Sequence, residues 1–196
     1  MKPEFKPGIV KETGVTYDDY ANLPDDGSRY EVADGKLELM SPGPSPRHQA
    51  VVVQLLTKLQ QSCGSEYVLY VSPIDVILSV TEVRQPDLVM IRRDRLDIVT
   101  RRGIEGAPDL VIEVLSPYSG RRDRLHKTRA YARYGIPEYW IADPANRMIE
   151  QYVLEGDKYA LADVFAADEP VRSERIGCAS FKFGDILRGI PDTPAD

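Results

Sequence analysis

Apolar and polar side chains alternate with a period of two through RYEVADGKLELM (29–40), on either side of Asp34-Gly35. The two runs predict a β-hairpin, because Asp-Gly accepts the positive φ angles of a type I′ turn. Over 46–62 the period becomes helical, with Val52, Leu55, Leu56 and Leu59 recurring on one face. Residues 66–80 are rich in β-branched and aromatic side chains, and Pro73 marks a break or an edge there. RQPDLVMIR (84–92) reads as a short strand. DLVIEVL (109–115) reads as a longer one, apolar on both faces as a central strand of an α/β sheet is. A second long helix is expected over 119–134, with Ser119 as N-cap and Gly135 as the residue that ends it. Strands are expected at 137–143 and 148–154, and 158–164 is expected to pair with the latter. Thr16 is placed as N-cap of a short helix within 16–23, and SPGPSP (41–46) interrupts regular structure. This order predicts a mixed sheet with helices against it. Residues 16–188 are read as one domain, 1–15 as an arm and 189–196 as a loose tail.

Composition narrows the classes. Hydrophobic residues make up 42% of the 196, enough for one core, and fifteen Pro with fourteen Gly favour turns over a helical bundle. No apolar run is long enough to span a membrane, and MKPEFKPG has no apolar leader segment. Cys63 and Cys178 are read as reduced thiols ahead of a disulfide, which suits a cytoplasmic protein. The net charge of −6 argues against strong non-specific binding to nucleic acid. Yet residues 92–133 hold eleven Arg and Lys against six Asp and Glu. That stretch is either a solvated, ion-paired face or a place for an anionic partner. No G-x-G-x-x-G, P-loop, H-E-x-x-H or G-x-S-x-G motif occurs, so nucleotide binding by those loops, a zinc peptidase and a nucleophile elbow are set aside.

The informative residue is Glu113, alone in an apolar strand. An ionised carboxylate there costs several kcal/mol to bury unless something neutralises it. Asp87 opens the preceding strand at QPD. If the two strands are neighbours, about 5 Å apart, the carboxylates converge and need a cation between them. Oxygen ligands suit Mg²⁺ or Mn²⁺ more than zinc. Glu31 on the hairpin is a third candidate, and His48 at the start of the first long helix reaches toward the same area. Lys127 shares a helix face with Ala130, Tyr131 and Tyr134, which turns it toward the sheet. Plainer readings stand beside these. Asp87 caps a turn, Glu113 forms a structural bridge with Lys127 or Arg129, Lys127 pairs with Asp123, Glu31 is an exposed hairpin residue, and His48 is a helix-start hydrogen bonder.

RYEVADGKLELMSPGPSPRHQAVV, QPDLVMI, PDLVIEVLSP and RRDRLHKTRAYARYGIPEYWIADP together resemble the Uma-two family, from about Thr16 to Val153. The resemblance implies an α/β (α+β), restriction-endonuclease-like fold: a mixed central β-sheet flanked by helices, with an N-terminal β-hairpin extension. It also implies kinship with the PD-(D/E)xK nucleases, in which an Asp and a Glu on adjacent strands bind Mg²⁺ and a Lys assists the attacking water. Asp87 and Glu113 match the two acids, and Glu31 matches an additional upstream acid. The Lys position two residues after the Glu holds Leu115, a departure from the pattern, and Lys127 in the following helix takes that place. The resemblance thus implies a metal-dependent endonuclease with Asp87, Glu113 and Glu31 as metal residues and Mg²⁺ or Mn²⁺ as cofactor. Lys127 and His48 join them as catalytic candidates, nucleic acid (DNA first) is the partner, and a homodimer is expected by analogy. The rival is an inactive nuclease-fold binding module, favoured by the acidic charge and the lack of a DNA-reading element. A hydrolase of some other phosphoester is a third reading.

Overall fold

The computed structural model describes residues 14–40, 43–116 and 121–191, with side chains from residue 124 onward in the last stretch. In chain order the elements are α1 (Tyr17–Ala21), β1 (Tyr30–Ala33), β2 (Lys36–Leu39), α2 (Pro46–Cys63), β3 (Tyr67–Val71), β4 (Val76–Ser79), β5 (Glu82–Arg84) and β6 (Leu88–Arg92). A 3₁₀ segment (Arg93–Ile98), β7 (Ile104–Glu105), β8 (Leu110–Val114), α3 (Arg121–Arg133), β9 (Glu138–Asp143), β10 (Met148–Glu155), β11 (Lys158–Ala166), β12 (Pro170–Arg172), β13 (Ser180–Lys182) and α4 (Phe183–Arg188) complete it.

The strands form a six-stranded sheet, β11-β10-β9-β8-β6-β3, a five-stranded sheet, β2-β1-β5-β4-β7, and the small pair β12-β13. In the larger sheet only β8 and β9 are parallel, as the α3 crossover between them requires. This is a mixed α+β architecture. The hairpin is more than an appendage, because β1 pairs with β5 and anchors the second sheet. Asp34 and Gly35 both have positive φ, as the type I′ turn demands. Val15 is buried beside Tyr17, Val32, Ile77 and Val83, so the body of the fold already includes it.

Two sequence readings need correction. The expected single strand 84–92 is two strands in different sheets, β5 and β6, separated by Gln85-Pro86-Asp87. Pro86 supplies no N–H to a ladder, which suits a corner where the chain passes from one sheet to the other. Cys63 and Cys178 are not free thiols but a disulfide with Cα atoms 5.2 Å apart. They meet because Cys63 ends α2 and Cys178 packs against the same core. The cytoplasmic expectation rested partly on reduced thiols and loses that support. Among the described residues no helix is long and apolar enough to cross a membrane. The expected N-cap Ser119 and residues 1–13, 41–42 and 192–196 lie outside the described residues. Ile190, placed in the tail by sequence, is buried against the main core.

Strand alternation decides which side chains meet. On β8, Leu110, Ile112 and Val114 face the core made with α2 and α4, whereas Val111 belongs to the cluster with Tyr131 of α3. Glu113 shares the Val111 side, which aims it at α3. On α2, Val51, Val52, Leu55 and Leu59 are buried, and Leu56 is only partly so. Ser45 caps α2 by accepting from the His48 main-chain N–H at 3.2 Å, with Pro46 at the first helical position. Ser45→Ala is expected to cost about 1 kcal/mol by urea denaturation, the usual value of such a cap.

Candidate active site

The register places the two acids together. Leu88 pairs with Ile112 in the antiparallel β6–β8 ladder, so Asp87 falls opposite Glu113 one step further on. Asp87 Oδ2 accepts from the Val114 N–H at 2.8 Å and lies 3.1 Å from His48 Nε2, which is also 3.0 Å from the Val114 carbonyl oxygen. Both of those neighbours are acceptors, so Nε2 carries the proton and shares it between them. His48 Nδ1 is buried with no hydrogen-bond partner among the described residues. Burial opposes a charge on His48, but its bond to Asp87 and that carboxylate's charge outweigh burial and raise the pKa above its ordinary value.

Glu113 is met from α3. Its two oxygens lie 3.0 and 3.1 Å from Lys127 Nζ, and Tyr131 donates its hydroxyl at 2.7 Å. Lys127 and Tyr131 are one turn apart, so a single helix face delivers both. Glu31 comes from the second sheet. It accepts from the Gln85 N–H at 2.8 Å and from Arg84 at 3.2 Å, and stands 3.8 Å from Lys127 Nζ. The Val32–Val83 pairing explains this contact, because one step along it sets Glu31 across from Arg84. Arg84 Nε in turn donates to Glu82 at 2.7 Å, and Glu82 accepts from the Asp34 N–H at 2.8 Å. A buried chain of alternating charges thus runs from the hairpin turn through Glu82, Arg84, Glu31 and Lys127 to Glu113.

The electrostatics of this chain are uneven. Burial pushes the Glu31 carboxyl up, but Lys127 and Arg84 together hold it below the usual range. Glu113 goes the other way: burial raises its pKa to about 7, against the pull of Lys127 and with help from the charges of Asp87 and Glu31. Tyr131 is held well above the ordinary tyrosine value by burial and by Glu113.

All five sequence candidates, Asp87, Glu113, Lys127, Glu31 and His48, are therefore gathered at one place, where the two sheets meet the start of α2 and one face of α3. Among the described residues no three His, Cys, Asp or Glu side chains stand in a metal-binding arrangement. The sequence reading missed Arg84, Glu82 and the Gln85 main-chain N–H. The available signal was the period-two spacing of Glu82 and Arg84 around apolar Val83.

The arginines of 92–102 are not part of this site. They lie at and beyond the far end of β6, roughly 17 Å or more from Asp87 along a five-residue strand. Arg92 pairs with Asp94, Arg93 donates to the Gly64 carbonyl, Arg95 pairs with Asp109 and Arg102 with Asp18. Among the described residues three of these five arginines are thus ion-paired. Asp109, the second Pro-Asp acid, spends its oxygens on Arg95 and the Arg92 N–H. Arg124 on α3 is likewise bonded, to Glu150 and Tyr152.

Comparison with known proteins places the chain in a family. The model of the Uma2 family, described as a putative restriction endonuclease, matches residues 17–178. The chain belongs to the Uma2 family. Among solved structures it is similar to a putative nuclease of DUF820 from Anabaena variabilis, with a TM-score of 0.72 and 18% identity over 89% of this chain and 98% of that one. That likeness shows a shared fold. No curated protein matches. The Uma2 match runs from α1 to the segment before β13 and so includes all five candidate residues.

Proposed function

We propose that this Uma2 protein is a divalent-metal-dependent nuclease acting on phosphodiester bonds of nucleic acid, with DNA the first substrate to test. The observation that carries the reading is the pairing of Asp87 with Glu113 on adjacent strands, with Lys127 delivered onto Glu113 from α3. The donor chemistry fits a hard cation. Asp87 Oδ2 and the Val114 carbonyl oxygen already converge on one proton of His48, and Glu113 stands opposite Asp87 in the β6–β8 register. Asp87 and Glu113, with the Val114 carbonyl, would hold Mg²⁺ or Mn²⁺. Such an ion supplies a more acidic bound water and neutralises charge on the phosphate.

The chain's own residues take the remaining roles. Lys127 holds Glu113 and brings its positive charge to the attacking water or the phosphate oxygens. Glu31 has its oxygens engaged by Arg84 and Gln85, so we assign it to fixing Lys127 and Glu113, with any contact to the ion made through them. His48 donates from Nε2 and orients Asp87. Lys127→Met is expected to slow cleavage about a hundredfold, the usual loss for one transition-state donor. Stabilisation by Mg²⁺ should survive, because the oxygen donors remain.

The direction of the Glu113 shift fixes a pH dependence. Its folded value, about 7, lies above that of an unfolded glutamate. In metal-free protein the contribution of this group is therefore complete below the unfolded pKa and is lost as pH rises through about 7. Cation binding needs the ionised form, and the ionised fraction of such a group grows about tenfold between pH 6 and pH 8. Mg²⁺ affinity, measured by thermal shift, is expected to climb across the same interval; a flat profile would show that Glu113 does not hold the ion.

The direct test is incubation of purified protein with supercoiled plasmid and with single-stranded DNA, in Mg²⁺, Mn²⁺ or EDTA. Nicking that requires the metal is expected. Metal binding without nicking of either DNA would remove DNA as substrate and turn the search to RNA and smaller phosphoesters. Neither binding nor nicking would favour a binding module on the nuclease fold.

A further inference from the structure

A cavity of about 460 Å³ opens beside the corner that carries Asp87. Its wall includes Tyr20, Tyr30, Arg29, Asp75 and Gln85. Gln85 is two residues before Asp87, a step of roughly 7 Å in extended chain. Its main-chain N–H binds Glu31, while its side chain belongs to the cavity wall. The cavity and the carboxylate site therefore share Gln85 between them, although none of Glu31, His48, Asp87, Glu113 or Lys127 lines the cavity.

The polar groups of the wall form one network. Gln85 accepts from Arg29 at 2.6 Å and donates to Asp75 Oδ1 at 2.9 Å and to the Tyr20 hydroxyl at 3.0 Å. Tyr20 donates to the same Asp75 oxygen at 3.0 Å. These bonds fix the side chains and leave specific capacity over. Among the described residues Asp75 Oδ2 and Arg29 Nη1 take part in no hydrogen bond, since Asp75 is engaged through Oδ1 and Arg29 through Nη2. Burial also raises the Asp75 pKa, as expected of a carboxylate whose nearest partners are neutral.

The wall selects a ligand class by exclusion. A plain anion would face Asp75 and Asp25, and a plain cation would face Arg29. A neutral planar heterocycle carrying both donors and acceptors satisfies the spare carboxylate oxygen and the spare guanidinium N–H together, and half-buried Tyr20 and Tyr30 offer ring faces or edges for stacking. We propose that this cavity binds a single unpaired nucleobase of the nucleic acid whose backbone lies at Asp87 and Glu113. The inference rests on the nuclease reading for its choice of ligand. Its consequence is a preference for single-stranded or splayed substrate, since a base stacked in a duplex cannot enter such a cavity.

The test is saturation-transfer NMR on the full chain in EDTA with each of the four deoxynucleosides, which lack phosphate and need no metal. Inorganic phosphate and methylguanidine serve as controls. Millimolar binding of at least one nucleoside is expected. Asp75→Asn and Tyr20→Ala should each weaken it fivefold or more, and Glu113→Ala should bind like the parent. Asp75→Asn preserves shape, and its melting curve checks the fold. Absence of nucleoside binding, or binding unchanged in both variants, overturns the inference. Methylguanidine binding in place of every nucleoside also overturns it, in favour of an arginine side chain. The two readings fail separately: metal-dependent nicking by a protein that binds no nucleoside removes the subsite alone, and nucleoside binding by a protein that cleaves nothing removes the nuclease alone.

Discussion

Glu113→Ala is expected to abolish metal-dependent nicking, with a loss of at least about a hundredfold, while leaving the fold intact. The two effects separate because the carboxylate is poorly placed for stability alone. Burial already opposes its ionisation and raises its pKa to about 7, so removing it relieves a cost as well as a contact. Lys127 keeps Glu31, 3.8 Å away, as a counter-charge. The Tyr131 hydroxyl loses its acceptor, which costs about 1–3 kcal/mol for a buried donor. Glu113→Gln retains an acceptor for Tyr131 and should melt closer to the parent while remaining inactive. The measurements are plasmid nicking and thermal melting with and without Mg²⁺. The parent should gain stability from the ion and neither variant should. Cleavage by Glu113→Ala at the parent rate would remove Glu113 from the mechanism and leave its pairing with Lys127 purely structural.

Glu113 was legible in the sequence because a charge inside an otherwise apolar strand conflicts with the local pattern and demands an explanation. Asp87 was legible from its place at the start of the neighbouring strand, and Lys127 from sharing a helix face with Ala130 and Tyr131, both buried. The long elements α2, β8 and β9 were legible because their apolar spacing persists over enough residues to fix a period. Gly135, with φ of 77°, stands where α3 was expected to end. What failed to show were features that only tertiary packing creates. The three residues of β5 are all buried, yet Glu-Val-Arg reads locally as a surface fragment. β12, β13 and α4 are each too short for a periodic signal, and their buried members, such as Phe183 and Ile186, matter only once packed against α2. The Cys63–Cys178 bond spans 115 residues, a distance over which sequence says nothing about proximity. The same limit hid the role of Arg84, whose ion-pair partners are Glu31 on β1, Glu38 on β2 and Glu82 on its own strand.

Arg84 carries the largest expected effect on stability. It is 2% exposed and lies between two buried acids, Glu31 at 5% and Glu82 at 1%. Arg84→Met keeps the length of the side chain and removes the charge, leaving both carboxylates buried against a neutral neighbour. Breaking a buried ion pair from one side costs about 3–5 kcal/mol, a large part of the stability of a domain this size. The loss should appear as a lower urea midpoint with the slope unchanged. Arg84 helps hold the Glu31 carboxyl below its usual range, so the deficit should shrink at low pH, where Glu31 is protonated in the folded and unfolded states alike. The same physics supplies a partial remedy. The triple change Glu31→Gln, Glu82→Gln and Arg84→Met removes every charge of the group and should recover part of the loss. Activity should not return with stability, because Glu31 also holds the Gln85 N–H beside Asp87 and stands against Lys127. Full recovery of cleavage in the triple variant would show that the hairpin's buried charges serve the fold alone. Recovery of stability without cleavage would show that they position Lys127.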